Sequence, residues 1–330
     1  MLVPKLVLDS WNRVNARIND FCDHDLENST KVLFVTDVHI GAENRHHIKQ
    51  LQFIQELIKL NSVDYIINGG DIGLDVGESD DESKEVIEIT KNNTQFNVPY
   101  LLLKGNHDFS KNVISDVQFN EVLNQWFLNI KDKTICDFVN KENSNSYGYF
   151  IDKTTNTKFL FLNTSEQYRE YVIGKEQLEY VIDQLEKNTV QNLVILSHYC
   201  INKCGEWVKY PVQDKPEIAT LKMVLKDFVE KKSGTANGYT WNFENSKGKL
   251  RLYLSGDSHF NNKSTQDGYL ITCRQGSGGC DVENLPSGAI QDLFDKNEQC
   301  NFDILVINKK NEMKLFRVGE GEIKLDLEIK

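Results

Sequence analysis

The chain has 330 residues, of which 39% are hydrophobic and 26% charged, as expected for a globular protein with a substantial core. No apolar run approaches the roughly 20 residues that a membrane-spanning helix needs, and the N-terminus lacks the apolar stretch of a signal peptide. We therefore expect a cytoplasmic protein without a membrane partner. The net charge of -11 disfavours nonspecific binding to nucleic-acid backbones and to anionic membranes.

The predicted elements begin with an amphipathic helix over 5–27, whose apolar residues recur every three or four positions. A repeated pattern of apolar strand, polar turn and helix follows. Strands are predicted at 31–35, 63–67, 98–103, 158–162, 192–196 and 250–254. Further helices are predicted at 46–60, 174–188 and 217–231. Continuous apolar strands separated by helices indicate an α/β protein.

The ends of the chain and one internal segment depart from this repeated pattern. Residues 1–30 are predicted to form a helical extension, and 31–330 a single domain. The segment 201–249 separates two predicted strands and resembles an insertion. Near the C-terminus, two apolar runs flank the polar stretch NKKNE, which predicts a β-hairpin at about 301–320.

Side chains that suit metal binding follow the predicted strands, at the point where each strand ends. Open α/β sheets bind their ligands at this edge. The clusters are Asp37 with His39, Asp71, the run Asn106-His107-Asp108, His198, and Asp257 with His259. Mixed carboxylate, imidazole and amide ligands suit Mn²⁺, Fe²⁺ or Zn²⁺, and an aspartate that bridges two cations suits a pair of metal ions.

The ordered series DVH, GGDIG, GNHD, SHY and GDSH resembles the motifs of the calcineurin-like metallophosphoesterase family over about residues 31–275. Each motif alone is typical of an ordinary turn, whereas five in order, each after a strand, are a strong signal. The resemblance implies a β-sandwich of two mixed sheets flanked by helices. It also implies a hydrolase of phosphate esters, in which a hydroxide that bridges two divalent metal ions attacks phosphorus in line.

The resemblance divides the candidate metal ligands between two ions. The implied ligands are Asp37, His39 and His259 for the first ion, Asp71 as the bridge, and Asn106 and His198 for the second ion. The family's tyrosine variant, found in purple acid phosphatases, is absent because Leu74 occupies that position.

Asp257 stands where the family usually has a histidine. A carboxylate is a harder ligand than imidazole and favours Mn²⁺ or Mg²⁺ over Zn²⁺, so we expect two Mn²⁺ ions, with Fe²⁺, Zn²⁺ and Mg²⁺ as alternatives. With the bridging hydroxide included, a ligating Asp257 reduces the net charge of the centre from about +1 to about 0.

The resemblance also implies how the substrate is held and protonated. His107 would steady the phosphate or protonate the leaving group beside Asn106, and Asp108 would orient the His107 ring by accepting its N–H. Arg45, in the stretch GAENRHH, could clamp a substrate phosphate. The alternative for Arg45, which we favour, is a solvated residue that opens a helix.

The acidic chain offers no basic groove for an extended nucleic acid, so we expect a small phosphodiester or nucleotide-like substrate. A nuclease that acts on DNA or RNA ends is the alternative enzyme. The N-terminal helix and the closing stretch resemble calcineurin-like phosphoesterases encoded by phages and prophages of low-GC bacteria. This resemblance implies a location in the host cytoplasm or the virion, and it adds the alternative of a phage structural or interaction protein that retains the fold.

Overall fold

The computed structural model describes residues 3–40, 48–73, 80–108, 121, 124–141, 145–165, 171–201, 215–257, 261–274, 300–319, 322 and 324–330. Within these ranges two β-sheets lie face to face with an apolar layer between them, and helices cover the outer face of each sheet. The predicted sandwich of two mixed sheets flanked by helices is confirmed. No helix in the described ranges is long and apolar enough to cross a membrane.

The first sheet joins parallel N-terminal strands to antiparallel C-terminal strands. Its strands are β1 (Thr30–Val35), β2 (Tyr65–Asn68), β3 (Tyr100–Leu102), β13 (Phe302–Ile307), β14 (Met313–Val318) and β15 (Leu327–Ile329). Their spatial order is β15-β14-β13-β1-β2-β3, and β1, β2 and β3 run parallel to one another. The antiparallel pair β13 and β14 confirms the predicted C-terminal hairpin.

The second sheet has a parallel centre with antiparallel strands at its edges. Its strands are β4 (Cys136–Lys141), β5 (Asn145–Asp152), β6 (Thr157–Phe161), β7 (Asn192–Leu196), β10 (Lys249–Ser255), β11 (Asn262–Gln266) and β12 (Tyr269–Cys273). Their spatial order is β11-β12-β10-β7-β6-β5-β4. The strands β8 (Ser233–Ala236) and β9 (Tyr239–Asn242) form a separate antiparallel ribbon.

The helices are α1 (Lys5–Phe21), α2 (Ile48–Leu60), α3 (Asp80–Asn93), α4 (Gln125–Leu128), α5 (Lys175–Glu186) and α6 (Pro216–Glu230). The apolar faces of α1 and α2 pack on the outer face of the first sheet, and those of α5 and α6 pack on the second. Each of these four helices presents apolar residues at three- and four-residue spacing, so burial of that face positions the helix.

The observed elements agree with the predicted ones within two residues at most ends, but α1 ends at Phe21 rather than at residue 27. The reason is the backbone after it: Asp23 and His24 have φ of 52° and 61°, a left-handed conformation that a right-handed helix cannot continue through. In the predicted insertion, residues 202–214 lie outside the described ranges, and the remainder contains α6 and the β8–β9 ribbon.

Two arginines and an aspartate are buried together between the sheets. Arg274 follows β12 of the second sheet, whereas Asp303 and Arg317 face each other on β13 and β14 of the first. Arg274 Nε and Arg317 Nη1 each donate to Asp303 Oδ2 at 3.0 Å, and all three residues are at most 2% exposed. Burial alone would raise the pKa of Asp303, but the two guanidiniums outweigh it and lower that pKa. This ionic cluster ties one sheet to the other.

Replacement of Asp303 by alanine is expected to lower the free energy of unfolding by about 3–5 kcal/mol at neutral pH, because two buried guanidiniums lose the carboxylate that both contact. The control is Glu56→Ala, which removes an exposed pair with Lys59 and should cost less than about 1 kcal/mol. Urea denaturation of the three proteins measures both effects.

The difference in the free energy of unfolding between wild type and Asp303→Ala also depends on pH. Since the folded pKa of Asp303 is depressed, its contribution is present above the ordinary aspartate pKa of about 3.9 and is lost as the pH falls below that value. The difference between wild type and Asp303→Ala should therefore narrow in acid. Equal stability of the two proteins at pH 7 would contradict the role of the cluster.

Candidate metal centre

The loops that follow β1, β2, β3, β7 and β10 meet at one edge of the sandwich, where the two sheets approach each other. They bring together most of the residues predicted from the sequence: Asp37, His39, Asp71, Asn106, His107, Asp108, His198 and Asp257. His259, Arg45 and Leu74 lie outside the described residues.

The backbone is bent sharply at four of these positions. Asp37, His39 and Asp71 have φ of 53°, 52° and 53°, and Asp257 has φ of 72°. A left-handed conformation is uncommon for residues other than glycine and costs of order 1–3 kcal/mol each. Such residues cluster at functional sites, because the surrounding structure holds them there to aim their side chains.

Two glycines of the motifs allow these loops to approach one another closely. A Cβ on Gly70, whose φ is 103°, would lie 2.7 Å from the His198 ring nitrogen Nδ1. A Cβ on Gly105 would lie 2.0 Å from Asp71 Oδ1. The glycines in GGD and GNH therefore permit His198 and Asp71 to reach the same point.

A first group of ligand atoms consists of Asp37, His39 and Asp71, which each offer an atom within 4.8 Å of the others. His39 Nε2 lies 4.0 Å from Asp37 Oδ1 and 3.9 Å from Asp71 Oδ2. These separations are too long for hydrogen bonds. They suit atoms that share one cation, because ligands at about 2.1 Å from an ion lie roughly 3–4 Å apart.

A second group surrounds the Nε2 atom of His198. The neighbours of this atom are Asn106 Oδ1 at 2.8 Å, Asp71 Oδ2 at 3.3 Å and Asp257 Oδ1 at 3.7 Å. The other ring nitrogen, Nδ1, lies 2.9 Å from the Gly69 carbonyl oxygen. Since a carbonyl accepts only, Nδ1 donates its proton to Gly69, and Nε2 is the ring nitrogen that faces the three oxygens.

Asp71 belongs to both groups. Its Oδ2 atom lies 3.9 Å from His39 Nε2 and 3.3 Å from His198 Nε2, while Oδ1 accepts the backbone N–H of His107 at 2.8 Å. Burial disfavours the charged carboxylate, but the imidazoles of His198, His39 and His107 outweigh it and hold the pKa of Asp71 well below its usual range. An ionised carboxylate oxygen between two sets of ligands is the arrangement of a bridging ligand.

The electrostatics of the second group favour added positive charge. Burial would lower the pKa of His198, but Asp71, Asp37 and Asp257 raise it well above its ordinary value. For Asp257, burial of the carboxyl is the main cause that raises its pKa, and the charges of Asp71 and Asp37 act in the same direction. A divalent cation among these oxygens would supply positive charge that offsets the carboxylates.

Asp108 holds the backbone of two loops. Its carboxylate accepts the backbone N–H groups of Asp71, Gly73 and Gly105, each at 2.9 Å. Burial, together with the charge of Asp71, raises the pKa of Asp108 to about 6. These contacts fix the loops after β2 and β3 relative to each other. The orientation of the His107 ring by Asp108 stays a prediction.

The His107 ring lies edge-on to the His39 ring, with centroids 5.3 Å apart and planes at 85°. His107 is half-buried, whereas His39 is 2% exposed and Asp71 is 1% exposed. The ring of His107 is therefore more open to solvent than these candidate metal ligands beside it.

Thr36 is a site residue that the sequence reasoning missed. Its hydroxyl donates to Asp37 Oδ2 at 2.7 Å, and the backbone N–H of Asp257 reaches both oxygens of the same carboxylate at 3.2 Å. The second contact joins the two sheets directly at the centre. A threonine at the end of a strand is common, so the residue type alone gives no signal for this role.

The sequence profile of the calcineurin-like phosphoesterase family matches residues 30–261, which contain every candidate site residue named above. The chain belongs to this family. The prediction of a metallophosphoesterase is thereby confirmed, and the acidic, imidazole-rich centre fits a metal-dependent enzyme. Comparison with curated proteins finds no matching sequence.

Solved structures of three other proteins share the fold. A dimetal phosphatase from Danio rerio is 12% identical over 91% of this chain and 98% of its own, with a TM-score of 0.62. GAP50, the anchor in the inner membrane complex of Plasmodium, is 15% identical over 92% and 89%, with a TM-score of 0.55. The purple acid phosphatase PPD1 from yellow lupin is 14% identical over 88% and 51%, with a TM-score of 0.51. At these identities the likeness shows the fold alone.

Replacement of Asp108 by alanine is expected to weaken Mn²⁺ binding about 10–100-fold, because the loops that carry Asp71 and Asn106 lose their common acceptor. Calorimetric titration of metal-stripped protein with Mn²⁺ measures this effect. The control is Asp152→Ala, which removes another buried carboxylate with several hydrogen bonds, from Thr30 and Thr155. The control should lower thermal stability and leave Mn²⁺ affinity unchanged. An Asp108→Ala variant that binds Mn²⁺ as tightly as wild type would refute this role of Asp108.

Proposed function

We propose that this protein is a dinuclear, Mn²⁺-dependent enzyme that hydrolyses a small phosphodiester or a nucleotide-like ester. The observation that carries the proposal is the position of Asp71, whose Oδ2 atom lies 3.9 Å from His39 Nε2 and 3.3 Å from His198 Nε2. A single buried carboxylate oxygen between two sets of ligands is what a pair of ions about 3.5–4 Å apart requires.

The residues present fit two ions. The proposed ligands of the first ion are Asp37, His39, Asp71 and His259, and those of the second ion are Asp71, Asn106, His198 and Asp257. Carboxylate and amide oxygens outnumber imidazoles in the second set, and hard oxygen ligands support the choice of Mn²⁺ over Zn²⁺. Bound ions of this kind lower the pKa of water and polarise phosphoryl oxygens.

The chain's own residues position the ester and handle its proton. His107 lies beside the first group and is partly open to solvent, which supports its assignment as the donor of a proton or hydrogen bond to the leaving group. Asn106 and His107 adjoin each other on the loop after β3, so both can contact the substrate. Arg45 follows Asp37 and His39 closely and stays a candidate for phosphate binding on the sequence alone, with a solvated residue that opens a helix as the favoured alternative.

The acidic composition supports a small substrate rather than an extended nucleic acid. The resemblance of the N-terminal helix and the closing stretch to phage and prophage enzymes supports action in the cytoplasm of a bacterial host or in a virion. A virion protein is the partner that this location implies.

Replacement of His107 by alanine is expected to lower kcat for bis-p-nitrophenyl phosphate about 10²–10⁴-fold while the protein still binds two Mn²⁺ ions, because the ring serves proton transfer and not metal binding. Steady-state kinetics and metal analysis of the same preparation measure the two quantities. The matched variant is Asn106→Ala, which should lose both activity and metal. Equal loss of metal in the two variants would show that His107 is a ligand or a structural residue.

The substrate class is tested with wild-type protein and Mn²⁺. Comparison of bis-p-nitrophenyl phosphate, p-nitrophenyl phosphate and single-stranded DNA should give the highest kcat/KM for the diester. Cleavage of DNA alone would instead favour the nuclease. A folded, metal-loaded protein that hydrolyses none of the three would favour the structural or interaction protein.

A further inference from the structure

We infer that Asp257 makes the centre selective for phosphate esters that carry one negative charge, over those that carry two. The inference rests on the proposed function and deepens it. It assigns to one side chain the choice between a phosphodiester, which is a monoanion at neutral pH, and a phosphate monoester, which is largely a dianion.

Asp257 is fixed within the centre by its backbone. Its N–H group lies 3.2 Å from both oxygens of the Asp37 carboxylate, and its φ of 72° turns the side chain toward the second group. Oδ1 then lies 3.7 Å from His198 Nε2. With cations bound, the carboxylate would therefore add a third negative charge to those of Asp37 and Asp71.

Asp257 is the most exposed of these three carboxylates. Its side chain is 22% exposed, whereas those of Asp37 and Asp71 are 0% and 2% exposed. The charge of Asp257 acts on the substrate directly, as well as by reducing the net charge of the metal centre.

The effect of this charge doubles when the charge of the substrate doubles. At a separation of about 6 Å and an effective dielectric constant of about 40, one unit charge changes the affinity for a monoanion about ten-fold and for a dianion about a hundred-fold. Since Asp37 and Asp71 are the same in every variant of Asp257, the change in preference depends on Asp257 alone. Its removal is expected to favour dianions over monoanions by about ten-fold.

The test compares wild type with Asp257→His and Asp257→Asn, which replace the carboxylate by neutral ligands. The control Asp267→Asn removes one negative charge from the turn between β11 and β12, where a left-handed φ of 49° suits asparagine equally well. Each protein is loaded with Mn²⁺ at pH 8. The measurements are the metal content, the Kd for inorganic phosphate by calorimetry, and kcat/KM for bis-p-nitrophenyl phosphate and p-nitrophenyl phosphate.

We expect wild type to prefer the diester. We expect the two Asp257 variants to hold two ions, to bind inorganic phosphate more tightly, and to shift the ratio of kcat/KM toward the monoester by about ten-fold. The control Asp267→Asn should match wild type in metal content, in the Kd for inorganic phosphate and in the ratio of kcat/KM. A wild-type preference for the monoester, or variants with two ions and an unchanged ratio and phosphate Kd, would overturn the inference.

Loss of the second ion in both variants would also overturn the inference, since Asp257 would then act as an indispensable ligand and not through its charge. In each of these cases hydrolysis of either ester by wild type leaves the proposed function intact. Failure of that function has a different signature, which is hydrolysis of neither ester by wild-type protein that holds two Mn²⁺ ions.

Discussion

Carboxylates that are held close together and away from water repel one another, and this repulsion dominates the metal centre. Asp37, Asp71 and Asp257 converge on the imidazoles of His39 and His198. Removal of an ionised carboxylate from water costs several kcal/mol, and a second one nearby adds to that cost. Positive charge at the centre offsets both terms, so the arrangement favours the binding of cations.

The centre belongs to the junction of the two sheets. Asp37, Asp71 and Asn106 follow strands of the first sheet, whereas His198 and Asp257 follow strands of the second. Either sheet alone holds an incomplete set of ligands. The contacts that tie the sheets together therefore also set the distances in the centre. They include the Asp257 N–H on Asp37 at the edge and the Arg274–Asp303 pair between the sheets.

Much of this account could be predicted from the sequence, because its signals are local. Apolar runs of strand length mark β1, β7 and β10, and polar ligands follow each of them directly. Parallel strands carry such residues to one edge, so the order of the motifs was sufficient to predict a shared metal centre. The three- and four-residue spacing of apolar residues in α5 and α6 is also a local signal, and it predicted both helices.

The features that the sequence did not reveal depend on contacts between distant segments or on weak local signals. Asp108 accepts the backbone N–H groups of Asp71 and Gly73 only because the loops after β2 and β3 meet, whereas Thr36 acts on its neighbour Asp37 without any distinctive sequence pattern. The helix α3 is rich in acidic residues and lacks a strong apolar stripe, so periodicity did not predict it. The β8–β9 ribbon turns at Asn237-Gly238, a hairpin signal that the polar surroundings obscured.

The central claim is that Asp71 bridges two metal ions. An anomalous-scattering map of crystals soaked in Mn²⁺ and phosphate tests it most directly. The account predicts two peaks about 3.5–4 Å apart, with Asp71 Oδ2 between them and Asp257 Oδ1 at the peak beside His198. A single peak, or two peaks of which Asp71 contacts only one, would contradict it.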